Sequence, residues 1–157
     1  MQVILISGYQ NSGKTTTCKL LKEKILDQGG KVIADNLSAV GNEENQVEVQ
    51  AILELDGKIY GISSIGDNAE QVKKGYDFIL EQNNQSPVDY FFFTSRSKGA
   101  CHHTAIDFAK EHDSDFFEFF ANNIQPNIDD FKIDHLTLEA QKQNYLDYIL
   151  NAAKIPL

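Results

Sequence analysis

The apolar and polar positions divide the chain into alternating strand-like and helix-like stretches. Residues 2–7 (QVILIS) form a short, nearly continuous apolar run, the pattern of a parallel strand covered on both faces. Residues 15–28 follow helical spacing through Cys18, Leu21 and Ile25, with Lys19, Lys22 and Lys24 largely outside, and Gly29-Gly30 supplies a stop. Residues 31–34 (KVIA) read as a second short strand and 36–45 as a polar surface loop. Two strand patterns, 47–55 and 58–64, flank Asp56-Gly57, a strong hairpin signal. Residues 68–83 make a helix with Val72, Tyr76, Ile79 and Leu80 on one side. Pro87 precedes a buried strand at 89–94 (DYFFFT), followed by a helix at 102–112 and a strand at 115–120 (DFFEFF). Residues 122–135 read as irregular, and 137–153 as a closing helix capped by Thr137.

Strands alternating with helices over the whole length, without a linker or repeat, predict a single domain spanning 1–157. The fold class is α/β: a three-layer α/β/α sandwich whose sheet is mostly parallel, with one antiparallel hairpin. Strand order is not legible from the pattern.

Composition narrows the function classes. With 157 residues, 41% hydrophobic and 24% charged, the chain reads as a globular domain with room for a core. Its longest apolar run is far short of a membrane span, and no basic leader with an apolar core precedes residue 2, so the expected location is cytoplasmic. Two cysteines, Cys18 and Cys101, imply reduced thiols and no disulfide framework. A formal net charge of −9 opposes non-specific binding to a phosphate backbone, so nucleic acid is not an expected partner. Arg96 is the single arginine, which allows at most one bidentate phosphate clamp.

The chemistry concentrates between the first strand and the first helix. Gly8-Tyr9-Gln10-Asn11-Ser12-Gly13-Lys14-Thr15 matches G-x-x-x-x-G-K-[ST]. Glycines at both ends permit backbone angles and close approaches that a side chain would block. Successive N–H groups then form an anion nest, helped by the positive end of the following helix. Lys14 brings a compact charge to the β- and γ-phosphates, and the Thr15 hydroxyl is placed to ligate Mg²⁺.

On this motif, with its strand before and helix after, the chain resembles the P-loop NTPase superfamily. The resemblance covers about a fifth of the chain. It implies ATP and Mg²⁺ as ligands, with Gly8, Asn11, Ser12, Gly13, Lys14, Thr15 and Thr16 around the phosphates. It also implies an acidic residue after a neighbouring strand, held on the metal through water. Asp67 is the first candidate, although Asp67 with Glu70, or Asn68 with Gln71, also reads as a helix cap. Asp35, after the second strand, is the runner-up. In several small-molecule kinases of this superfamily an acid there contacts the acceptor, so Asp35 is also a candidate catalytic residue, against an Asx turn that starts the loop. Arg96 follows the strand at 89–94, at the strand end where open α/β sheets bind ligands, and a cation there neutralises charge on a transferring phosphoryl group.

The resemblance leaves two functions open. One is a small phosphotransferase moving the γ-phosphate to a small-molecule acceptor, with Lys14, Arg96 and Asp35 in catalysis. The other is a nucleotide-dependent switch or accessory ATPase or GTPase acting through a protein partner. The N-K-x-D and D-x-x-G segments of guanine-specific members are absent, and one arginine departs from the several used by nucleoside monophosphate kinases. Cys101, His102, His103 and His112 have poor spacing for zinc. The phenylalanine runs at 91–93 and 116–120 read as core, with Glu118 an unexplained charge among them.

Overall fold

The structure, a computed structural model, describes residues 1–10, 12–36, 48–84, 88–121 and 135–157. Six strands form one sheet: β1 (Gln2–Ser7), β2 (Lys31–Asp35), β3 (Gln50–Leu55), β4 (Lys58–Ser63), β5 (Tyr90–Ser95) and β6 (Asp115–Phe120). Four helices accompany them: α1 (Lys14–Asp27), α2 (Ala69–Gln82), α3 (Ala100–Glu111) and α4 (His135–Ala152). The sheet order is β2-β3-β4-β5-β1-β6. The pairs β4–β5, β5–β1 and β1–β6 are parallel, whereas β2–β3 and β3–β4 are antiparallel. The protein is therefore α/β with a mixed sheet.

Three of the five pairings are parallel and the hairpin is antiparallel, as expected from the pattern. The hairpin turns at Asp56-Gly57 as its sequence dictates, but β2 adds a second antiparallel pairing. Asn36 fixes it, its N–H donating to Gln50 O at 2.9 Å and its side-chain amide to Gln50 Oε1 at 2.8 Å.

β1 shows why its apolar run is continuous. Ile4 and Ile6 join a cluster with Cys18, Leu21 and Ile25 of α1 and Leu146, Ile149 and Leu150 of α4. Val3 and Leu5 point the other way, into a cluster with Val72 and Ile79 of α2 and Ala105, Phe108 and Ala109 of α3. Successive residues of one strand thus fill two cores, and each fully buried Leu or Ile contributes roughly 1.5–3 kcal/mol.

Three boundaries differ from expectation. The strand expected from 47 begins at Gln50. α4 begins at His135, which places Thr137 within the helix instead of at its cap. β6 is an edge strand, so its phenylalanines are not all core: Phe119 is buried while Phe120 is 57% exposed. The polar loop expected at 36–45 lies, apart from Asn36, outside the described residues, as do Pro87 and the irregular stretch up to His135. Cys18 and Cys101 are buried and free. Among the described residues, no helix is long and apolar enough to cross a membrane.

Candidate functional site

β1 and β5 lie side by side, and Gly8 N–H donates to Ser95 O at 3.2 Å just beyond them. The helix after β1 packs into one cluster and the helix after β5 into the other. Their exits diverge to opposite faces, the topology that favours ligand binding outside the carboxyl ends of the strands. The loop after β1 and the loop carrying Arg96 both emerge there.

Local sequence shapes the first loop. A side chain at Gly8 would come within 2.6 Å of Ser12 Oγ and 2.9 Å of Ala121 O. Gly13, with φ of 92°, holds the left-handed conformation that starts α1, and no side chain caps that helix. The helical ladder opens with Thr17 N–H donating to Gly13 O at 2.9 Å. The amides of the first turn are therefore left for another acceptor. Ser12 is buried, and its Oγ has no partner among the described residues. Thr16 sits half-buried in that first turn, and Asn11 lies outside the described residues.

Lys14 is 9% exposed and bends back over the loop, its ammonium donating to Gly8 O at 3.1 Å and Tyr9 O at 2.6 Å. Burial pulls its pKa below the ordinary 10.5. Asp67 and Glu48 pull it back up, and Arg96 pushes it further down. These three charges surround Lys14 from three different segments of the chain.

Glu48 was not anticipated. Thr15 Oγ1 donates to Glu48 Oε2 at 3.1 Å, the Ser64 hydroxyl donates to the same oxygen, and Val49 N–H donates to Ser64 Oγ at 2.7 Å. A signal for it existed. Counting outward from the Asp56-Gly57 turn in the observed register, 55 with 58 and 50 with 63, brings residue 48 opposite 65, at the end of the sheet where Asp67 emerges.

Asp67 is free of capping duty, because Asn68 caps α2 by accepting from Gln71 N–H at 2.9 Å. Asp67 instead faces Arg96, with Nε 3.8 Å from Oδ1 and both side chains more than half exposed. The segment before it is clamped to β5: Thr94 Oγ1 donates to Ser64 O at 2.7 Å, and Gly66 lies so close to the Thr94 carbonyl that no side chain fits.

Asp35 is not brought to this place. It pairs with Lys22 at the end of edge strand β2, four strand spacings from β1, or roughly 19 Å. The cysteine and histidines also scatter. Cys101 Sγ lies 3.8 Å from Lys98 O, His112 Nδ1 lies 2.9 Å from Phe108 O, and His102 turns toward β6. Glu118, unexplained in sequence, accepts from Ser7 Oγ at 2.6 Å and lies 2.8 Å from His102 Nε2.

Oxygen donors available to a divalent cation are thus Thr15 Oγ1 and the carboxylates of Glu48 and Asp67. Among the described residues, no group of three or more His, Cys, Asp or Glu side chains is gathered to hold a metal alone. Mg²⁺ commonly takes only one or two carboxylates, with waters and phosphates completing its shell. In comparisons with protein-family models, curated proteins and solved structures, nothing matches the chain.

Proposed function

We propose that the chain is a P-loop protein with a three-layer α/β/α sandwich that binds ATP with Mg²⁺ and transfers the γ-phosphate to a small hydroxyl-bearing acceptor. One observation carries the reading. The match to G-x-x-x-x-G-K-[ST] coincides with a helix start without a side-chain cap and, among the described residues, with a buried Ser12 hydroxyl lacking a partner and a buried lysine whose hydrogen bonds go to its own loop. An unpaired polar group in such a place costs roughly 1–3 kcal/mol, and a polyphosphate supplies the missing acceptors.

In this reading the first-turn amides and Ser12 hold phosphate oxygens, and Lys14 exchanges the carbonyls of Gly8 and Tyr9 for the β- and γ-phosphates. Thr15, with Glu48 or Asp67, would hold Mg²⁺, whose charge offsets that of the phosphates when bound. Arg96 neutralises charge on the transferring group. Catalysis is then positioning and electrostatic stabilisation. The same loop would also serve a nucleotide-dependent switch that acts through a protein partner. Glu48 is compatible with that role, since it links Thr15 to the segment preceding β3.

Titration of the purified protein with ATP and GTP, with and without Mg²⁺, tests the nucleotide site. A screen of metabolites for phosphate acceptance then separates the two roles. Rapid product formation that requires a metabolite supports transfer, whereas slow hydrolysis with nucleotide-dependent partner binding supports the switch. Absence of binding to either nucleotide would sink the proposal.

A further inference from the structure

Behind the loop lies a polar cluster that the proposed phosphate site does not use. Ser7 is the last residue of β1 and immediately precedes Gly8. Glu118 stands on β6, and His102 in the first turn of α3. One carboxylate oxygen, Glu118 Oε1, accepts from the Ser7 hydroxyl and lies 2.8 Å from His102 Nε2. With Glu118 as acceptor for both, a neutral His102 carries its proton on Nε2 and keeps a lone pair on Nδ1, the tautomer that the proposal below requires. Nδ1 has no hydrogen-bond partner among the described residues. The pair is largely shielded, with His102 18% and Glu118 20% exposed.

A carboxylate fixing one nitrogen of an imidazole while the other is free is the arrangement of an oriented base. Its place is specific. The carbonyl of Gly8, next to Ser7, accepts from the Lys14 ammonium, and His102 lies in the first turn of α3, the helix that follows the loop carrying Arg96. Among the described residues, the titratable groups against His102 are Glu118 from β6 and His103 on its own helix, whose ring centroid lies 6.1 Å away.

We propose that His102 is the general base that takes the proton from the attacking hydroxyl, with Glu118 and Ser7 as the residues that position it. The inference rests on the nucleotide reading above. In the step, the acceptor O–H gives its proton to His102 Nδ1 while its oxygen lone pair forms a bond to the γ-phosphorus. The bond from that phosphorus to the β,γ-bridging oxygen breaks, and its electron pair leaves with ADP. The imidazolium then releases the proton to solvent. Water is the smallest acceptor, and the balance is the same with it.

The test uses the whole protein with MgATP and water as acceptor. His102→Gln and His102→Asn both keep a donor for Glu118 but lose the base. Each should lower the hydrolysis rate by about 100-fold or more while the Kd for ATP stays within about threefold. In the wild type kcat should fall toward acid pH as the base takes a proton, and that limb should be absent from both variants. Nitrogen-15 spectra of the imidazoles provide a readout apart from turnover: His102 should be the Nε2–H tautomer in the wild type and lose that bias in Glu118→Gln. An Nδ1–H tautomer in the wild type, or unchanged rates and profiles in both His102 variants, overturns the inference alone. So does a wild type that binds ATP but neither hydrolyses it nor passes its phosphate to any acceptor in the metabolite screen. A wild type that fails to bind ATP removes the nucleotide reading and this one with it.

Discussion

α1 and α2 are both 14 residues long and both lie against the sheet, yet they begin in opposite ways. α2 follows the rules of helix stability. Asn68, in extended conformation, accepts from Gln71 N–H, and Glu70 stands in the first turn with Lys74 one turn later. α1 breaks each of them. Its cap position is a left-handed glycine, it has no acid in the first turn, and its first residue is a buried lysine. A cation there opposes the positive end of the helix dipole, which favours anions by about 0.3–1 kcal/mol. α2 satisfies its own first turn, whereas α1 leaves donors and charge open. Local rules broken together at one place, with the core intact beneath, are what the proposed ligand site requires.

The sharpest way to break the comparison is to remove the charge from α1. Lys14→Ala should weaken ATP binding by about 10- to 100-fold, since hydrogen bonds to charged groups contribute roughly 1.5–3 kcal/mol. It should not lower the stability of the free protein, because it relieves a buried charge at a helix start. Titration with a fluorescent ATP analogue and urea unfolding followed by circular dichroism measure the two effects. Unaltered affinity would take the loop out of the mechanism.

A second substitution pair asks which carboxylate completes the site. Thr15 bonds Glu48, while Asp67 bonds Arg96. Glu48→Gln should therefore raise the Mg²⁺ concentration needed for ATP binding by about tenfold, in the range measured for groups that support a metal. Asp67→Asn should raise it less. The reverse ranking would return the metal to Asp67.

The control lies in α2. Asn68→Ala should lower stability by about 1 kcal/mol, the usual loss of a side-chain cap, and leave the ATP Kd unchanged. A matching loss of affinity would mean that the two helix starts are coupled through Asp67, and that the contrast between them is not a division of labour.

The loop between β1 and α1 was legible as a shape because a close approach at Gly8, a left-handed Gly13 and a helix start at Lys14 need no knowledge of the fold. Most elements were legible for the same reason: helical spacing in 68–83 and alternation around Asp56-Gly57 are short-range signals. What the sequence hid depends on strand order. Glu118 looked anomalous in a strand assumed to be covered on both faces. Once β6 is an edge strand beside β1, its charge has Ser7 and His102 to meet. Asp35 looked suitable because it follows a strand, but only the sheet order reveals that its strand is far from β1. Glu48 falls between these cases, since hairpin register reaches it but only the fold brings Thr15 alongside.

The smallest expected effect is a dependence on pH. Burial holds the Lys14 ammonium below its ordinary 10.5, so in the window between the lowered value and 10.5 the unfolded chain binds more protons than the native one. Stability should then rise with pH across that window, as the penalty of keeping a charge at the start of α1 is released. Below the window the penalty is present in full. If the proposed site is right, ATP affinity should move the other way, falling as the ammonium assigned to the phosphates is lost. Urea unfolding and ATP titration at stepped alkaline pH, for the wild type and Lys14→Met, resolve the two trends. The wild type should gain on the variant in stability as pH rises, while its advantage in affinity shrinks. Two trends of the same sign would mean that the lysine is not the residue at which α1 gives up stability for binding.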